Sequence, residues 1–152
     1  MSFFNSMDIS ATGLTVQRLR MDIISQNIAN VDTTRTEDGG PYKRKTILIQ
    51  EKQDHKSFAS YLADKVNPVT TGSTTIGSGV KAVKIVEDET EGTKTYDPTH
   101  PDADEDGYVT MPNVNTVTEM VNMISANRAY EANITALNTT IDMINKALSI
   151  GK

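Results

Sequence analysis

The stretch Asn113–Lys152, NVNTVTEMVNMISANRAYEANITALNTTIDMINKALSIGK, decides the fold. No proline interrupts it. Asn113 or Asn115 can cap its first free amides, Glu119 stands near the positive end of the helix dipole, and Gly151 ends the run. The spacing predicts a helix over Val114–Ile150, roughly 55 Å long at the α-helical rise. Met123, Tyr130, Leu137 and Ile144 recur every seven residues, and Ile134, Ile141 and Leu148 follow the last three by four. This pattern is a coiled-coil seam, interrupted at Asn127. Val114, Val117, Val121 and Ile124 point elsewhere, so the contact face shifts along the helix.

The polar side of this helix is short of charge. Residues 113–152 hold seven Asn but only three acids and three bases. A solvated helix carries charge, often in opposite-sign pairs. Neutral groups such as Asn122, Asn133, Asn138, Thr139 and Thr140 bond across helices without the desolvation penalty of ions. Ala126, Ala129, Ala132 and Ala136 let a neighbour come close. Both features favour lateral packing.

Working back to the other end, Met7–Val31 predicts a second helix, capped by Ser6 or Asp8 and roughly 37 Å long. Met7, Leu14, Met21 and Ile28 form one heptad stripe, with Ala11 and Ile24 beside it. Almost opposite runs a second stripe of Ile9, Val16, Leu19 and Ile23. Two helices at the ends of a chain, joined by a long excursion, should pair antiparallel. Such a hairpin needs one stripe on each helix, so the second stripe calls for a neighbour on another side.

Between the helices the texture changes. All five prolines (Pro41, Pro68, Pro98, Pro101 and Pro112) fall between Asp32 and Pro112, among Thr, Gly and charged residues. Tyr42–Gln50 and Val80–Glu87 read as strands, Ser57–Asp64 is ambiguous, and Val69–Gly79 reads as a flexible loop. The expected fold class is α+β. An N-terminal helix (1–33) and a C-terminal helix (113–152) pair as an antiparallel coiled coil, with a small β-rich middle module (34–112).

Composition narrows the function. Hydrophobic residues make up 37% of the 152, low for a chain that completes its own core, so neighbours are expected to finish it. The net charge of −5 is concentrated in Glu87–Asp106, where nine acids face only Lys94. No basic stripe exists for nucleic acid, and Lys43-Arg44-Lys45 reads as the solvated edge of a strand. Cysteine is absent, which removes disulfides and thiolate chemistry. The first helix is broken by Asp8, Arg18, Arg20 and Asp22 and does not read as a secretory signal. No run is long and apolar enough to span a bilayer, so direct membrane insertion is not expected.

Both ends carry motifs. Ser10-Ala11-Thr12-Gly13-Leu14 through Arg20, then Ser25-Gln26-Asn27-Ile28-Ala29-Asn30, resembles the N-terminal signature of flagellar rod, hook and hook-filament junction proteins. Gly107-Tyr108-Val109, Pro112-Asn113-Val114-Asn115, Glu119-Met120-Val121, Met123-Ile124 and Arg128-Ala129-Tyr130-Glu131-Ala132-Asn133 resemble the C-terminal signature of the proximal-rod class. The resemblance covers both ends and little of Thr34–Thr95. It implies a non-enzymatic subunit of the periplasmic rod of the flagellar basal body, exported through the flagellar type III apparatus without a cleaved signal. Its partners would be other copies of itself and other rod proteins. Asn27 and Asn30 would join Met7, Ile9, Leu14, Val16, Met21, Ile23 and Ile28 in the assembly interface. On the second helix Met123, Tyr130, Ile134, Leu137, Ile141, Ile144 and Leu148 complete it.

Other chemistry finds less support. His55 and His100 lack metal-ligand spacing, and Gly77-Ser78-Gly79 lacks the third glycine and following helix of a phosphate loop. Asp102-Ala103-Asp104-Glu105-Asp106-Gly107 copies the first half of a calcium-binding EF-hand loop. Its twelfth position is Asn113 rather than Glu, which favours a plain acidic turn. No cofactor is expected. A secreted coiled-coil adaptor or translocator of a non-flagellar type III system is the alternative, sharing the heptads and the lack of cysteine.

Overall fold

The computed structural model describes residues 3–37, 39–52, 62 and 78–150. Two helices dominate it, α1 over Phe3–Ala29 and α2 over Thr116–Ile150. The strands are β1 (Lys45–Glu51), β2 (Val80–Glu87), β3 (Lys94–Tyr96) and β4 (Tyr108–Thr110). His55, and the run Ser57–Asp64 apart from Leu62, lie outside the described residues.

α1 begins before the expected caps, so Ser6 and Asp8 lie inside its first turns. Its end follows the sequence closely. Asn30 Nδ2 donates to the Gln26 carbonyl at 2.8 Å, and Asn30 Oδ1 accepts the Thr33 hydroxyl at 3.2 Å. A polar residue that satisfies a last-turn carbonyl stops the helix and starts the turn. α2 is capped by Asn115, whose Oδ1 accepts the Thr118 amide at 3.0 Å.

The helices pack antiparallel. Asn27 bonds Glu119 near one end, and a side chain at Gly13 would press against Asn133 midway along. Gly13 is thus a point of close approach, where even a methyl group would push Asn133 aside. The α2 residues along this contact are Glu119, Met123, Ala126, Tyr130, Asn133, Leu137, Thr140 and Ile144. They alternate steps of four and three, and each is buried or half-buried. That is a heptad seam.

The seam corrects one expectation. Met123, Tyr130, Leu137 and Ile144 belong to it, but the alternate position is filled by Ala126, Asn133 and Thr140. Ile134, Ile141 and Leu148 fall one residue further on and remain exposed. Close approach at Gly13 favours small or slender partners over isoleucine at that level.

β1 and β2 pair antiparallel from Lys45↔Glu87 to Glu51↔Val80, with an irregularity between Leu48 and Ile49. This hairpin leans on α1. Gly79, at φ +101°, brings the start of β2 onto Thr12, whose hydroxyl donates to the Ile9 carbonyl (2.7 Å) and accepts the Val80 amide (3.2 Å). Ser78 is buried beside it. The flexible-loop reading of Val69–Gly79 therefore fails at Ser78 and Gly79, while 69–77 lie outside the described residues. β3 and β4 form a separate three-rung ladder that the sequence reading missed. Strands of three residues among acids and turn formers leave no periodicity to detect.

Candidate assembly surface

Among the described residues, the largest fully buried side chains are polar. Asn27 and Glu119 have 0% and 1% of their surface exposed. Asn27 Nδ2 donates to Glu119 Oε2 (3.0 Å) and to the Lys45 carbonyl (2.9 Å). Its Oδ1 accepts the Tyr42 hydroxyl and the Lys45 amide, both at 2.9 Å. Asn27 is thereby saturated, with two donors and two acceptor bonds in place.

Glu119 is held as fully. Oε1 accepts Arg44 Nη2 at 2.7 Å, Arg44 Nε at 3.1 Å and Asn122 Nδ2 at 3.2 Å. Burial opposes ionisation of Glu119, but the hydrogen bonds from Asn27 and Arg44 and the Arg44 charge prevail, so its carboxyl sits below the usual range. Burial, reinforced by the charges of Glu87 and Glu119, pushes the Tyr42 phenol up. The cluster ties the end of α1, the entry to β1 and the first turn of α2 into one joint.

This joint was not foreseen. Asn27 appeared in sequence as an interface residue and Arg44 as part of a solvated strand edge. The structure instead places Asn27 inside the chain, where another subunit cannot reach its side chain. One signal was available. Glu119 lies four residues before Met123 on the heptad, and an acid at a seam position needs a buried partner.

The apolar residues of the two helices differ in burial. Val16 and Ile23 are buried and Ile9 and Leu19 half-buried, with Val16 and Leu19 beside Val80 and Ala82 and Ile23 beside Ile47 and Ile49, so the second stripe of α1 lies towards the hairpin. Met7, Leu14, Met21 and Ile28 lie on another side of the helix, Leu14 and Ile28 directly after Gly13 and Asn27, which meet α2. They are half-buried, as Ile9 and Leu19 are. On α2, Val117, Met120, Val121 and Ile124 are each more than half exposed. At its other end Met143, Leu148 and Ile150 are exposed, as is Phe4 at the start of α1. Isolated exposed apolar residues are ordinary, whereas runs at helical spacing mark surfaces that something else covers.

The acidic segment behaves as a brace. Asp102 accepts the Thr34 hydroxyl at 2.8 Å and lies 3.6 Å from Arg35, which fastens the β3–β4 turn to the chain leaving α1. Hydrogen bonds from the Thr99 side chain and amide hold the Asp97 carboxyl low. Among the described residues, no three His, Cys, Asp or Glu side chains converge where they would hold a metal ion.

Comparison with known proteins follows the same outline. The family model described as "Flagella basal body rod protein" matches residues 7–35, and that described as "Flagellar basal body rod FlgEFG protein C-terminal" matches residues 105–150. The flagellar basal-body rod protein FlgC of Bacillus subtilis is 47% identical, with all of both chains covered. That of Borreliella burgdorferi is 45% identical over 99% of this chain and 98% of its own. The Salmonella typhimurium protein of the same name is 36% identical, again over the whole of both chains.

Proposed function

The chain belongs to the FlgC family of flagellar basal-body rod proteins and is a structural subunit of the rod, and we propose that it builds the proximal rod by packing its helix pair against those of other subunits. The observation that carries this reading is the set of apolar residues left over once the chain has packed on itself. On α2, Val117, Met120, Val121 and Ile124 still face outward. The stripe of Met7, Leu14, Met21 and Ile28 is only half-buried, and a second neighbour would complete its burial. An element with apolar residues on two sides is the building unit of a packed wall.

On this reading the partners are other copies of the chain and other rod proteins. Ile134, Ile141, Leu148 and Asn30 contribute at the rim of the contact, and Asn27 acts from within by fixing the joint. The protein reaches the periplasmic part of the rod through the flagellar type III export apparatus, without a cleaved signal. Its role is mechanical rather than catalytic. The adaptor or translocator alternative finds no support among the relatives.

The test is a double substitution, Met120→Asp with Ile124→Asp. Both side chains are outward-facing, so the purified variant should keep the parent's helicity and melting temperature. Cells carrying it should lose flagella and motility. Normal rods built from this variant would show that the α2 face is not used.

A further inference from the structure

The two sheets carry surfaces of opposite character, and they do not touch one another. In the β1–β2 hairpin Leu48 lies opposite Lys84, Thr46 opposite Val86 and Gln50 opposite Lys81. Residues opposite one another share a face. That face therefore presents Leu48 and Val86, 48% and 42% exposed, beside Lys81 and Lys84.

The β3–β4 ladder presents the counterpart. Tyr96 lies opposite Tyr108, their rings meeting edge to face at 5.3 Å, and they are 64% and 44% exposed. The turn between them holds Asp104, Glu105 and Asp106, all exposed. Among the described residues, no ion pair engages these three acids or the two lysines. Each surface is an apolar or aromatic centre with a charged rim, the anatomy of a protein interface, and the Lys81–Lys84 end of the hairpin face, whose other end carries Asp88 and Glu89, is opposite in sign to the acidic tip.

We propose that the acidic β3–β4 tip of one copy docks on the lysine-bearing face of the β1–β2 hairpin of the next copy. The contact rests on the rod reading and deepens it, adding an outer link to the packing of the helix pairs. It joins two different surfaces, so it propagates along an open assembly instead of closing a pair. Charge rims of this kind set register and are weakened by salt.

The absence of cysteine makes the test clean. Cells would express two versions together, Lys84→Cys and Glu105→Cys, one enlarged by a tag, and their basal bodies would be isolated and mildly oxidised. The expected product is a disulfide-linked species holding one of each, missing when either version is expressed alone. Both versions present in basal bodies without that species would overturn the contact and leave the rod reading intact. Absence of the parent protein from basal bodies would overturn the rod reading and the contact with it. A charge reversal provides a second measurement. Lys81→Glu with Lys84→Glu should lower incorporation severalfold, and Glu105→Lys with Asp106→Lys in the same chain should recover it. No recovery would reject the pairing.

Discussion

Glu119 is the residue on which the joint turns. Removing its carboxylate in Glu119→Ala leaves Arg44, Asn122 and one Asn27 donor without their acceptor in a buried site. The expected cost is about 2–4 kcal/mol, read from urea denaturation of the purified protein. The same residue sets a pH dependence. Its folded carboxyl titrates lower than an unfolded glutamate, so the unfolded chain binds the proton more readily as acid is added. The stabilisation is therefore whole above about pH 4.3 and fades as the pH falls towards the lower folded value. Glu119→Gln should flatten that part of a stability–pH curve, and an unchanged slope would mean that the Arg44–Glu119 pair carries no linkage. At this scale the sequence was least informative. Asn27, Tyr42, Arg44 and Glu119 come from three separate stretches, and their convergence depends on how the turn after α1 folds back.

The helix pair shows what periodicity does and does not reveal. Both helices, their antiparallel pairing and the seam line through Met123, Tyr130, Leu137 and Ile144 were legible, because seven-residue recurrence survives any choice of neighbour. The alternate seam position was not. Isoleucines at 134 and 141 are better hydrophobic candidates than Asn133 and Thr140, and only the close approach at Gly13 explains why the smaller set lies inside. Ala126 has no exposed surface in this seam. Ala126→Leu should overpack it and destabilise the fold by about 1–3 kcal/mol in thermal or chemical denaturation. Tolerance of leucine there would imply a wider helix separation. The strands β1 and β2 were also readable from their β-branched runs, whereas their pairing was not, and the anchor at Gly79 was hidden in what resembled loop sequence.

For the molecule as a whole, the outstanding feature is how much apolar surface the chain leaves uncovered after its own elements have packed. A low hydrophobic fraction and an excess of exposed helical apolar residues together describe a part shaped for its neighbours. The motifs at the two chain ends were enough to suggest the flagellar axial proteins, and most of them lie on the two long helices. Apart from Gly107-Tyr108-Val109 and its short length, the middle module gave little such guidance, because its strands are short and its acids are read as solvated whether or not another copy meets them.

The direct measurement of this account is cryo-electron microscopy of basal bodies from cells whose only copy of the protein carries an epitope insertion at Thr74. Tag density is expected at the proximal rod, with Val117, Met120, Val121 and Ile124 covered by a helix of an adjacent subunit. Tagged protein that is stable in cells but missing from the rod, or a rod in which those four side chains face solvent, would contradict it.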